Sequence, residues 1–117
     1  DERPAVRHLE RTLQLVGDDP VLLARLAAIL ADSDDPAVRN AGRALELAER
    51  AAAATARREP MVLNILAVAQ AGAGRFTEAA GTAAEAVPLA RARGAEALVV
   101  ELERRADAYR TRAAVVH

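Results

Sequence analysis

The chain has 117 residues, enough for one small domain with one continuous core. Apolar residues make up 52% of it and aromatics only 2%, and most of the apolar share is alanine. This argues against a sheet sandwich, which wants β-branched and aromatic side chains, and for closely packed helices, which alanine forms at no side-chain entropy cost. The net charge of −1 comes from interspersed acids and bases without a basic stripe, so nucleic acid is not an expected partner, and the lack of cysteine excludes disulfides and thiol chemistry.

Proline and glycine divide the sequence into helix-sized pieces. Pro4 suits the first turn of a helix running to about Val16, where Leu9, Leu13 and Val16 share a face and Gly17 stops the chain. Asp19 and Pro20 read as cap and first helical residue of a second helix, reaching about Ala31 with a broad stripe of Leu22, Leu23, Leu26, Ile29 and Leu30. Residues 32–36 form a loop. Asp35 then caps a long third helix, from Pro36 to about Arg57. A fourth helix runs from Pro60 to about Ala71, before the turn Gly72-Ala73-Gly74. A fifth runs from about Arg75 to Arg93, with Thr77 as an alternative start. Gly94 ends it, and a sixth spans Ala95 to about Arg112. No stretch of strand length alternates with period two.

Internal self-similarity is the most informative signal. Leu26-Ala27 and Leu66-Ala67 sit mid-helix, 40 positions apart. Ala44, Ala48 and Ala51 share their spacing with Ala79, Ala83 and Ala86, shifted by 35, and Ala5, Leu9 and Thr12 form a weaker copy. The two shifts differ by five residues because the loop between the second and third helices carries an insertion. Small residues at these offsets lie on one helical face and let a second helix approach closely. One hairpin cannot bury both of its faces, so such hairpins stack.

On these residues the chain resembles the tetratricopeptide repeat (TPR) family. In Pro60–Leu89, Leu66-Ala67 match the first-helix pair, Gly74 the turn glycine, Phe76 the bulky residue after it, and Ala79, Ala83 and Ala86 the second helix. Residues 20–57 resemble a second repeat with a lengthened turn, 4–17 the second helix of a partial repeat, and 95–112 a capping helix. Gln70, standing where an aromatic is usual, and Pro88, inside a second helix that it should kink near Ala84, depart from the pattern. The resemblance implies a single all-α domain, a short right-handed solenoid of antiparallel hairpins. It also implies the C-terminal module of a larger bacterial protein. The first residue, Asp rather than Met, is expected to mark an excised or processed piece. The all-arginine basic set, lacking lysine, reads as coding bias. The cytoplasm is the favoured compartment.

The family lines its concave face with the first helix of each hairpin. That places Val21, Ala24, Ala28 and Ala31, with Met61, Asn64, Val68 and Ala71, in a groove for a protein or peptide. The expected function is a protein-interaction scaffold or accessory module; the alternative is a regulatory helical domain of a transcription factor. Without lysine, and with no arginine at those positions, a clamp for a partner's terminal carboxylate is disfavoured. At the N-terminal edge, Leu9, Leu13 and Val16 are expected to lie partly uncovered and to support a symmetric homodimer through the first helix. Glu101, Arg104 and Arg105 should face water at the other end.

No cofactor, metal or catalytic residue is expected. His8 and His117 each lack a second histidine nearby. Asp32, Asp34 and Asp35 lack the glycine and bidentate glutamate of a calcium loop and serve a solvated turn. Gly72-Ala73-Gly74 is followed by no Lys-Ser/Thr. Ser33, the one serine, has no histidine in relay, so no enzyme is read here. No run is long and apolar enough to span a membrane and no signal peptide is visible, so no membrane contact is expected.

Overall fold

The structure, a computed structural model, describes residues 1–116. His117 lies outside them. Six helices follow one another: α1 (Arg3–Val16), α2 (Pro20–Asp32), α3 (Ala41–Ala54), α4 (Pro60–Gly72), α5 (Phe76–Ala92) and α6 (Glu96–Val116). No strand occurs among the described residues. The punctuation acts as expected at most ends. Asp19 caps α2, its carboxylate accepting from the amides of Val21 (2.9 Å) and Leu22 (3.2 Å). Pro20 and Pro60 open α2 and α4, where the missing amide costs nothing.

The start of the third helix is a correction. The Asp35-Pro36 signal produces only one turn. The Asp35 carboxylate accepts from the Ala37 amide, and its carbonyl from the amides of Val38 and Arg39. The next amide, that of Asn40, is taken by the carbonyl of Leu30 on α2 at 2.8 Å, which pulls the chain out of helical register. Asn40 then caps α3, its Oδ1 accepting from the Arg43 amide at 3.0 Å. The sixth helix also runs farther than Arg112, reaching Val116, because residues such as Ala113 and Ala114 sustain a helix without an apolar stripe. Helix α5 continues through Pro88 to Ala92.

Two C-termini close in the same way. In α4, the Arg75 amide donates to the Gln70 carbonyl (2.9 Å) with Gly74 at φ +81°; in α5, the Ala95 amide donates to the Ala90 carbonyl (3.0 Å) with Gly94 at φ +67°. Helix α3 repeats the hydrogen bond, Arg57 to Ala52 at 2.9 Å, without the glycine. Ala56 and Arg57 both take positive φ, 54° and 56°. A side chain in this region costs about 1–2 kcal/mol. Ala56→Gly should therefore stabilise the fold by about 1 kcal/mol, after allowing for the entropy glycine adds to the unfolded chain. A thermal melt checks this; an unchanged or lowered midpoint contradicts it.

Helix α2 packs on α3, α4 on α5, and α5 on α6, while α2 also meets α4, and α4 meets both α3 and α6. The repeated residues lie at the centre of this packing. Ala44, Ala48, Ala51, Ala79, Ala83 and Ala86 are wholly shielded from solvent, and Leu26-Ala27 and Leu66-Ala67 nearly or fully so. Ala5, in the weaker copy, is exposed. Ion pairs stitch elements about one repeat apart: Arg43 to Glu10 (3.1 Å), Arg93 to Glu59 (2.7 Å), Arg50 to Asp18, and the two-pronged Arg57–Glu85 pair at 2.8 and 3.0 Å. Hydrogen bonds from Arg57 hold the Glu85 carboxyl below its ordinary range. Most of these groups are well exposed, so the pairs orient neighbouring elements more than they stabilise them.

Candidate functional site

Alternate helices α2 and α4 lie side by side, and their shared face is hollow. One hollow of 490 Å³ is floored by Ala24, Ala28, Val62 and Ile65, with Val21 and Met61 at its edges. Val21 and Met61 are 64% and 51% exposed. Arg25, Thr55 and Glu59 supply its sparse polar rim. A smaller hollow of 190 Å³ continues from it, sharing Ala28 and Ile65 and adding Ala31, Val68 and the polar group Asp32, Asn64 and Arg105. The two form one groove, apolar toward the helix N-termini and polar toward the C-termini.

The structure thus brings together seven of the eight residues that sequence reasoning placed in a groove. The eighth, Ala71, is half-buried and lines neither hollow. Sequence reasoning missed Ile65, which links the hollows, and Arg105, which reaches the polar end from α6. The expected water-facing Arg105 is a correction. It is half-buried, bonded to Glu101 at 2.7 Å and in long contact with the Tyr109 hydroxyl at 3.5 Å. Hydrogen bonds from Arg104 and Arg105 hold the Glu101 carboxyl below its ordinary range. The spacing Glu101–Arg105 gave the pairing, but only the packing of α6 beside α4 gives its direction. Asn64 Oδ1 is shielded and makes no hydrogen bond within the protein.

The expected patch on α1 is also corrected in part. Leu9 and Leu13 are 5% and 8% exposed and belong to the core cluster, while Val16 is 60% exposed and its neighbour Leu15 81%. Helix α1 leans on α2, so Leu9 and Leu13 are covered within the protein and only the Val16 end of the stripe stays open. Substituting Glu for Leu9 and Leu13 would break the core rather than probe an interface.

The groove offers apolar area, the unpaired amide oxygen of Asn64 and the partly neutralised Arg105. Among the described residues no group of three or more His, Cys, Asp or Glu side chains is placed to hold a metal ion, and no helix is long and apolar enough to cross a membrane. No family model, no curated protein and no solved structure matches the chain.

Proposed function

We propose that this chain is a tetratricopeptide-like interaction module, a short right-handed solenoid closed by α6, whose α2/α4 groove holds an apolar segment of a partner protein. The observation that carries this reading is the meeting of Val21 and Met61. They are 40 positions apart, open two helices of like register, and stand exposed on the lips of one apolar hollow. Isolated exposed apolar residues are ordinary, but two converging on a concave apolar floor form the kind of surface that anchors a side chain. Arg25 and Glu59 at the rim orient a ligand without supplying its main binding energy.

Selection of peptides from a random displayed library against the protein tests this. Selected peptides should carry an apolar anchor, and Met61→Glu should weaken them roughly tenfold or more, the cost of placing a charge where an apolar contact was made. Met61 is half exposed, so helicity and melting midpoint should change little. Peptides that bind Met61→Glu as well as the parent protein would place recognition elsewhere.

A further inference from the structure

A second hollow, of 510 Å³, lies on the other side of α2, between α1 and the loop 33–40. Its walls carry Arg3 and Arg7 from α1 and Arg39 and Arg43 from the loop and the start of α3, with Glu10 as the one acid. The lining therefore has a net charge of +3 in a chain whose net charge is −1. Arg3 and Arg7 are spaced i, i+4 on α1, where like charges repel. Arg43 is neutralised by Glu10 (3.1 Å) and Glu46 (3.0 Å), and Arg3 pairs with Asp1 at 3.2 Å. Arg7 and Arg39 make no ion pair among the described residues. Of the acids outside the lining, Glu2 accepts from Ser33 Oγ and Asp35 from the Ala37 amide, while Asp34 of the same loop is exposed and does not line the hollow.

The loop is the insertion that breaks the repeat spacing, and it is firmly fastened. Val38 is 6% exposed in the core, the Asn40 amide is bonded to Leu30 on α2, and Ser33 is bonded to Glu2 ahead of α1. The extra residues thus build a fixed wall that carries Arg39 on the same hollow as Arg7. The start of α3, a helix of 14 residues, adds the positive end of its dipole at Asn40 and Arg43.

We propose that this hollow binds a phosphorylated serine or threonine of a partner protein. Two unpaired guanidinium forks match the charge of one phosphate dianion and its three acceptor oxygens. The hollow is larger than a phosphate fills, and its apolar floor of Val6, Leu30 and Val38 suits the residues flanking a phosphorylated side chain. This site is separate from the α2/α4 groove, and neither reading depends on the other.

The test uses a degenerate phosphoserine peptide library, its unphosphorylated counterpart, inorganic phosphate and phosphatidylserine vesicles. The full chain should bind the phosphorylated library roughly tenfold or more tightly than the unphosphorylated one, and inorganic phosphate should displace it more strongly than chloride at equal ionic strength. Arg7→Gln and Arg39→Gln should each weaken phosphopeptide binding roughly tenfold, and Arg11→Gln, an exposed arginine of α1 outside the hollow, should leave it unchanged. The competition on the unaltered chain decides even if a variant is poorly folded. Equal affinity for both libraries, no displacement by phosphate beyond the chloride effect, equal loss in Arg11→Gln, or binding to the vesicles in place of the phosphopeptides would each overturn the proposal.

Discussion

Leu66→Ala is expected to lower stability by about 2–5 kcal/mol and the melting midpoint by on the order of 10 °C. Leu66 is 1% exposed and sits in α4, which packs against α2, α3, α5 and α6. Truncation loses the transfer energy of the side chain and leaves a cavity that four neighbouring helices must close together. Many of the buried positions of α3 and α5 are alanine, among them Ala44, Ala48, Ala51, Ala83 and Ala86, which have no side chain long enough to swing into a cavity. Leu66→Met, which keeps the volume, should cost less than about 1.5 kcal/mol. Leu15→Ala, at an 81% exposed site, should stay within about 0.5 kcal/mol. If chemical denaturation ranked Leu66→Ala beside Leu15→Ala, the central place of α4 would be wrong.

The sequence shows these positions because their signals are local or periodic. Pro20 and Pro60 open helices and Gly17, Gly74 and Gly94 adopt positive φ at helix ends, where glycine alone is unstrained. The alanine register showed which face of α3 and α5 is buried. By contrast, the false start at Pro36 has a correct local signal; it was overruled by a hydrogen bond from Asn40 to Leu30, ten residues away, which no local pattern contains. The burial of Leu9 and Leu13 depends on the angle at which α1 meets α2, and periodicity shows a face without showing what covers it. The two left-handed residues Ala56 and Arg57 carry no glycine to announce them.

The two hollows divide along the same line. Val21, Ala24, Ala28 and Ala31 of α2 share two hollows with Met61, Asn64 and Val68 of α4, positions whose like spacing in the two helices is readable in the sequence. Arg105 enters from α6, outside the repeated spacing, and Arg7 and Arg39 share a hollow beside a loop that the spacing identifies only as extra length. Side chains that line these hollows from outside the repeated spacing are therefore the ones that periodicity cannot place.

Ala79→Leu is expected to destabilise the protein by about 1–3 kcal/mol through overpacking. Ala79 opens the small-residue register of α5 and is fully shielded from solvent, on a helix that packs against α4 on one side and α6 on the other. Leucine adds three carbons where no space reaches the surface, so the backbone of α5 must move away from a neighbour or the side chain must leave its preferred rotamer. Movement there has a second cost. The Ala79 amide donates to the Arg75 carbonyl at 2.9 Å, and the Arg75 amide closes the end of α4 on Gln70, so displacement is passed into the turn between the two helices. Alanine and leucine differ little in helix propensity, so the measured change reports packing. Ala84→Leu on the exposed side of the same helix serves as the comparison and should change stability by no more than about 0.5 kcal/mol. Equal denaturation midpoints for the two variants would show that Ala79 does not mark a close helix contact, and the repeat register built on it would have to be shifted.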